Sequence, residues 1–495
     1  MRRTKIVCTI GPASRSRERL SELIAAGMDV ARLNMSHGTH EEHGAVIGLI
    51  RTLATELGRN VAVLLDLSGP KIRLGQLKEP IFLKSGDVVV LTTENVVGEG
   101  MLLPVNYPNL LTELHPGDGF SMADGTILME VETVTATEAH ARVLSNGPLS
   151  SHKGINLPLG GDAIPALTEK DKDDLRFGLQ AGVDWVALSF VRSSDDAAAP
   201  RAIMDEVGIR VPLLAKIEKR KALDRIDEIL GEFDGLMVAR GDLGVEVLLE
   251  DVPAIQKALI ARANRAAKPV ITATQMLLSM VSSPRPTRAE VTDVANAILD
   301  GTDAVMLSEE TAQGEDPAHV VRTMVNIVNR AEMMQCQLER LDDEFSWRRG
   351  PLDRVGRAPL PIEPGTTVTA PPAMRTSVPD AIARGTGFVS SLLGASLIIT
   401  PTEGGSTARL ICSQRPPVPI LALTSRPTTA RSMALYWGVI AKCTEPFTTT
   451  ERLLQTCRKM ALETGLAKPG DRVVVTSGLP MNAPGTTNIL EVLEL

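Results

Sequence analysis

Lys216-Ile217-Glu218 and Ala239-Arg240-Gly241-Asp242 each close a short apolar run, VPLLA and GLMV, that reads as a β-strand. Side chains alternate along a strand, so Lys216 and Glu218 share one side and Ile217 faces away. A cation and a carboxylate then project together, with a second carboxylate, Asp242, one strand further on. Carboxylates from neighbouring strand ends suit a hard divalent ion such as Mg2+. A lysine beside that ion suits a phosphoryl group or an enolate. Alone, a Lys-x-Glu pair reads as a structural salt bridge; the rest of the chain changes that reading.

Further apolar runs end in polar residues that packing does not require. The second carries Arg32, Asn34, Ser36 and His37, and the third Asp66, Ser68, Lys71 and Arg73. The seventh carries Thr272 and Thr274, and the eighth Ser308, Glu309 and Glu310. A buried charge is costly unless paired or bound to a ligand, so such clusters at one end of several strands read as a site. The structural alternatives are an Arg32–Asp66 pair and a turn capped by His37.

The elements that must position these residues are eight runs, at 4–11, 30–35, 61–67, 184–190, 211–218, 235–239, 269–274 and 304–309. Amphipathic segments such as 15–28 and 250–267 separate most of them. Apolar runs without polar alternation, each followed by a helix, indicate parallel strands buried on both faces. Eight of them predict a (β/α)8 TIM barrel with its site at the C-terminal strand ends. An open doubly wound sheet is the alternative, but GxGxxG and GxxxxGK[ST] are both absent. Between the third and fourth strands the pattern changes to alternating strands and Gly-Asp or Asp-Gly turns. This predicts an inserted small all-β lid domain.

The expected division is barrel 1–71, lid 72–165, barrel 166–345, linker 346–374 and a C-terminal α/β domain 375–495. The linker follows from a Pro-, Gly- and Arg-rich passage without periodicity. The last domain follows from strands at 395–400, 418–424 and 471–478. Across 495 residues, 52 basic against 60 acidic side chains leave a net charge of −8, which argues against a general nucleic-acid binder. No apolar stretch is long enough to span a membrane. The opening apolar run is too short for a signal peptide. Five scattered cysteines (Cys8, Cys336, Cys412, Cys443 and Cys457) have no zinc spacing. A cytoplasmic protein with free thiols is the expectation.

With these residues in view, the chain resembles pyruvate kinase over essentially its whole length. The resemblance rests on TKIVCTIGPAS at the start, ARLNMSHG (31–38), LLDLSGPKIRLG (64–75), KGINLP (153–158) and TEKDKDDL (168–175). It continues through LLAKIEKRKALDRIDEIL (213–230), GLMVARGDLGVE (235–246) and the long segment 273–314. It implies transfer of the phosphoryl group of phosphoenolpyruvate to ADP, giving ATP and, after protonation of the enolate, pyruvate. Glu218 and Asp242 would hold Mg2+, or Mn2+ in its place, and Lys216 would stabilise the phosphoryl group in flight. Arg32 would grip phosphoryl oxygens, while Gly241, Asp242 and Thr274 would bind the substrate carboxylate. The Gly241 and Asp242 amides are expected in a turn. Thr274 and Ser308 would carry a proton to the enolate. Asn34, His37, Arg73, Lys153 and Lys170 would serve the nucleotide. The resemblance further implies an allosteric homotetramer.

Two departures from the family pattern bear on function. Many members need K+ and carry Thr and Glu where this chain has Leu67 and Lys71, although Asn34, Ser36 and Asp66 of that cation site are present. A lysine can supply the charge that K+ would supply, so K+-independent activity is expected. In the C-terminal domain, Thr402, Gly404, Gly405, Ser406 and Thr407 form a Gly- and hydroxyl-rich loop that could cradle a phosphorylated effector. Glu403 places an anion there, which disfavours fructose 1,6-bisphosphate and favours a monophosphate or no activator. The rivals are a carbon–carbon lyase that stabilises a pyruvate enolate on Mg2+, and a binding protein on an inactive scaffold. The first would need neither lid nor Arg73, and the second would not need Lys216, Glu218, Asp242, Arg32 and Thr274 together.

Overall fold

The computed structural model describes residues 1–123, 125–157, 165–344, 377–478 and 487–495. The chain opens with strands β1 (Lys5–Thr9), β2 (Val30–Asn34) and β3 (Ala62–Asp66). It then departs into β4 (Ile81–Leu83), β5 (Val88–Thr92), β6 (Leu102–Pro104), β7 (Gly119–Met122), β8 (Ile127–Val134), β9 (Glu138–Val143), β10 (Gly147–Leu149) and β11 (Ile155–Asn156). It returns with β12 (Trp185–Leu188), β13 (Leu213–Ile217), β14 (Gly235–Ala239), β15 (Val270–Ala273) and β16 (Ala304–Leu307). The first three and last five strands close a parallel barrel in the order β1-β16-β15-β14-β13-β12-β3-β2, as the eight apolar runs predict.

Alternation along these strands divides their side chains between two cores. Val7, Val30, Leu64, Trp185, Leu214, Met237, Ile271 and Met306 fill the barrel interior. Ile6, Leu33, Leu65, Val186, Ile217, Val238 and Leu307 pack outward with the surrounding helices. Arg32, Asp66, Lys216 and Ser308 continue the inward set, so they stand on the apolar plug at the C-terminal mouth. Several helices start on reciprocal caps, Thr39 with Glu42, Thr168 with Asp171 and Thr287 with Glu290. Part of the TEKDKDDL motif is therefore a helix start.

The inserted segment forms a six-stranded sheet, β11-β7-β8-β9-β5-β6, and a β4–β10 pair around its own core. Its last strand returns to the barrel mouth. Asn156 donates to the Val245 carbonyl (3.3 Å) and accepts from Lys219 (3.3 Å), which also pairs with Glu246 (2.6 Å).

Beyond the barrel lie β17 (Leu397–Pro401), β18 (Ile420–Thr424), β19 (Val439–Cys443), β20 (Arg472–Gly478) and β21 (Thr487–Glu494). They form one sheet, β19-β18-β17-β20-β21, with only β21 antiparallel. Three of these strands are predicted from the sequence; β19 and β21 are additional. Both are edge strands carrying Lys442, Glu491 and Glu494, so neither presents the unbroken apolar run of a central strand. The linker expected at 346–374 lies outside the described residues.

The C-terminal domain closes the N-terminal end of the barrel. The Trp185 indole donates to the Ser432 carbonyl (2.9 Å), and the buried Lys5 ammonium to the Val439 carbonyl (2.8 Å). Arg415 reaches Asp303 and the Gly301 carbonyl (2.8 and 2.7 Å) and stacks over Trp437. Asp184 receives both Arg51 and Arg431 (2.7 and 2.8 Å). With the floor sealed, the C-terminal mouth is the face left for chemistry.

Candidate active site

Four charged side chains interlock at the mouth. Arg32 donates from Nε to Asp66 Oδ2 (2.6 Å) and from Nη1 to Thr9 Oγ1 (2.9 Å). Lys216 Nζ lies 2.9 Å from Glu218 Oε1 and 3.1 Å from Asp66 Oδ1, and donates to Ser189 Oγ at 2.7 Å. The contact with Asp66 Oδ1 is an ion pair only, because that oxygen makes no hydrogen bond. Asp66 and Glu218 are each 1% exposed. The Arg32–Asp66 pairing considered from sequence is thus present, inside a larger network.

Burial and pairing oppose one another in this cluster. Burial lowers the Lys216 pKa, but Asp66 and Glu218 more than reverse this and hold it above the ordinary lysine value. Burial likewise pushes the Asp66 carboxyl up, and Lys216 and Arg32 more than reverse this, leaving it below the carboxylate range. Glu218 goes the other way, because burial outweighs Lys216 and the nearby Asp242 charge adds to it.

Glu218 and Asp242 therefore stand close enough to repel, one buried and one partly open to solvent. Among the described residues no group of three or more His, Cys, Asp or Glu side chains could hold a metal. A carboxylate pair that leaves positions for water and substrate oxygens fits Mg2+ habits, and a divalent ion would relieve the repulsion. Lys71 Nζ lies 4.0 Å from Asp242 Oδ1.

Gly241 and Asp242 do not sit in a free turn. A helix, Arg240–Glu246, starts directly at the end of β14, and the Gly241 amide donates to Thr274 Oγ1 (2.8 Å). The first amides of a helix have no partner within it, and here the Thr274 hydroxyl takes one. Thr274 has φ +67° and Gln275 φ +53°, left-handed values that are costly for a β-branched residue. Arg240 holds this turn by donating to the carbonyls of Ala273 (3.0 Å) and Thr274 (2.6 Å) while paired with Asp293 (2.6 Å). Thr272 points the other way and bonds Thr302 in the barrel wall (3.0 Å). The Ser308 amide donates to Glu310 Oε2 (2.6 Å), whose other oxygen receives the Leu277 amide (3.1 Å). Glu310 is thus a buried strap between strand ends.

The expected nucleotide residues form two groups. Asn34 accepts the Ser36 amide (3.1 Å), and Lys170 donates to the Met35 carbonyl (2.7 Å), so Asn34, Ser36, His37 and Lys170 flank one loop. Arg73 and Lys153 are exposed on the inserted β domain, where Arg73 donates to the His152 carbonyl (3.2 Å). Leu67 is buried in the outer core. Sequence reasoning assigned no role to the fourth strand, yet Ser189 contacts Lys216, and the Phe190 amide donates to Glu218 Oε2 (2.8 Å). Strand parity was the available signal, since Ser189 follows the inward Trp185 and Ala187.

A closed parallel barrel with a charged cluster at its C-terminal mouth has the architecture of the (β/α)8-barrel enzymes. Family models for the pyruvate kinase barrel domain and for the pyruvate kinase alpha/beta domain match residues 1–321 and 380–493. The chain is 44% identical to the pyruvate kinase of Geobacillus stearothermophilus, covering 99% of this chain and 80% of that one. It is 44% identical to pyruvate kinase 2 of Synechocystis, covering 99% and 79%. For pyruvate kinase of Staphylococcus aureus strain MRSA252 the identity is 42%, over 99% and 80%. The chain belongs to the pyruvate kinase family, phosphotransferases that take phosphoenolpyruvate and ADP to pyruvate and ATP in glycolysis. The family generally needs a divalent cation and K+. No described helix is long and apolar enough to cross a membrane.

Asp66 holds the two cations together. Asp66→Asn would leave Lys216 and Arg32 short of a counter-charge, at a cost of about 3–5 kcal/mol. Because the folded-state pKa of Asp66 is depressed, its contribution is present above the unfolded value of about 3.9 and lost as pH falls through the lower folded value. Urea denaturation across this acid range is expected to show that loss in the parent and not in Asp66→Asn; equal slopes would refute it.

Proposed function

We propose that the site works by compensating charge on a phosphoryl group in transit. In this reading Lys216 and Arg32 grip the phosphoryl oxygens of phosphoenolpyruvate, and Glu218 and Asp242 hold Mg2+, or Mn2+ in its place. Thr274, with Gly241 and Asp242 in the first helical turn, seats the substrate carboxylate. The observation that carries it is the Arg32–Asp66–Lys216–Glu218 network, in which two partly buried cations pair with two buried carboxylates. Mg2+ bound at this pair supplies neutralisation of charge on phosphoryl and enolate oxygens. Lys216 serves as a fixed positive charge and not as a base, since its partners hold its proton. The enolate left behind needs a proton, and the Thr274 and Ser308 hydroxyls, on neighbouring strand ends, are the groups to pass one from water.

Asn34, His37 and Lys170 below, with Arg73 and Lys153 on the lid, take the nucleotide phosphates. The lid spans 72–165, between barrel segments 1–71 and 166–345. Its closure excludes water that would hydrolyse the donor. The domain at 375–495 exposes Val378, Phe388 and Leu392 on one helix, which supports self-association into the homotetramer expected of the family. A cytoplasmic location goes with this reading.

We also infer that K+ is dispensable. Leu67 offers no side-chain oxygen and is buried, while Lys71 brings a fixed ammonium to the Asp242 side of the site. At the effector loop, the Gly405 amide donates to Thr402 Oγ1 (3.0 Å), and Glu403 pairs with Arg426 (3.3 Å). A retained anion there supports a monophosphate or no activator.

Three measurements test these statements. In a coupled assay of pyruvate and ATP formation, Lys216→Met is expected to lower kcat by about 10²–10³-fold or more; retained activity refutes the role of Lys216. Activity is expected to be the same with K+, with Na+ or with neither, and Lys71→Glu is expected to become K+-dependent; strict dependence in the parent chain overturns the inference. Fructose 1,6-bisphosphate is expected to leave Tm unchanged, and a rise exceeding that from a sugar monophosphate would count against the effector reading.

A further inference from the structure

Strand β12 carries none of the residues assigned above, yet the residue that follows it reaches the centre of the site. Ser189 is 1% exposed, and its hydroxyl donates to the Leu67 carbonyl at 2.6 Å. A carbonyl can only accept, so the hydroxyl proton is committed and the lone pairs face Lys216 Nζ at 2.7 Å. An ammonium has three N–H groups and no lone pair. Ser189 takes one, and Glu218 Oε1 lies against a second side at 2.9 Å as an ion-pair partner. The third side faces Asp66 Oδ1 at 3.1 Å without making a hydrogen bond.

The corner that carries Ser189 is built to stay in place. Phe190 has φ +55°, a left-handed value held by the hydrogen bond its backbone amide donates to Glu218 Oε2 (2.8 Å). On the opposite side, a Cβ at Gly69 would fall 2.8 Å from both Ser189 Cβ and Phe190 Cδ2. Only glycine, here at φ +67°, lets the loop after β3 approach this closely. Successive residues of one corner thus hold Lys216 and Glu218.

We propose that Ser189 is a positioning residue for phosphoryl transfer. By holding one N–H of Lys216 it aims another at the phosphoryl group as that group passes between phosphoenolpyruvate and ADP. Ser189 touches no reacting atom; it acts through Lys216, so the proposal rests on the role given to Lys216 above. Without the hydroxyl, the ammonium turns towards Asp66 Oδ1 and ties up the N–H that the phosphoryl group needs. A misaimed charge matters most where charge is moving, so the loss falls on kcat and not on substrate binding.

The test is steady-state kinetics of the full-length Ser189→Ala, Ser189→Cys and Lys216→Met variants at saturating Mg2+, with Tm measured for each. Ser189→Ala is expected to lower kcat about tenfold or more, with KM for phosphoenolpyruvate and ADP within about threefold of the parent. A smaller fall in kcat, or a loss expressed mainly in KM, overturns the proposal. Should Ser189→Ala lower Tm sharply, Ser189→Cys, which keeps the volume, is judged by the same criteria. Lys216→Met separates the two layers. If it retains activity, the reading of Lys216 fails. If it is inactive while Ser189→Ala is fast, only the positioning role fails.

Discussion

An ammonium largely withdrawn from water must find its partners in the protein, and at Lys216 they come from three strand ends. Asp66 stands at the end of β3, Ser189 follows β12, and Glu218 lies two residues beyond Lys216 on β13. Asp66 also receives Arg32 from β2. Two cations and two carboxylates in one buried cluster are tolerable because each charge has a counter-charge within hydrogen-bond range. Removing any member would leave a partner stranded, which ties the register of four strands to one electrostatic arrangement.

The surrounding structure serves that cluster from both ends. The C-terminal domain covers the floor through Trp185, Lys5, Asp184 and Arg415, below the apolar plug on which the charges stand. At the mouth the backbone takes conformations that ordinary packing would not select. Phe190, Thr274 and Gln275 all have positive φ, and buried polar contacts from Glu218 and Arg240 hold them there. Local strain of this kind persists where neighbouring groups over-determine it, and here it lies where the residues of the site converge.

Much of this was legible from residue order alone. The eight apolar runs and their polar ends follow from period-two alternation, and the changed pattern after the third run marks the inserted sheet. Lys216 and Glu218 share a side for the same reason. Less legible were β19 and β21, whose charged edge positions break the apolar run. The start of a helix at Arg240 was also hidden, because Gly-Asp after a strand reads equally well as a turn. Ser189 was missed because a single serine carries little signal until its inward parity is set against its neighbours.

The barrel, the inserted β domain, the separate C-terminal domain and the chemical types gathered at the strand ends follow from sequence alone, because alternation, turn residues and family motifs are local properties. Only the tertiary structure decided which charges compensate which. Asp66 lies 150 residues from Lys216 in the chain, and only barrel closure sets it 3.1 Å from the ammonium. The same closure brings Ser189 to Lys216 and Thr274 to the Gly241 amide. Hydrogen bonds and ion pairs depend on distances of a few ångströms, and those distances are set by strand register and closure, not by sequence spacing.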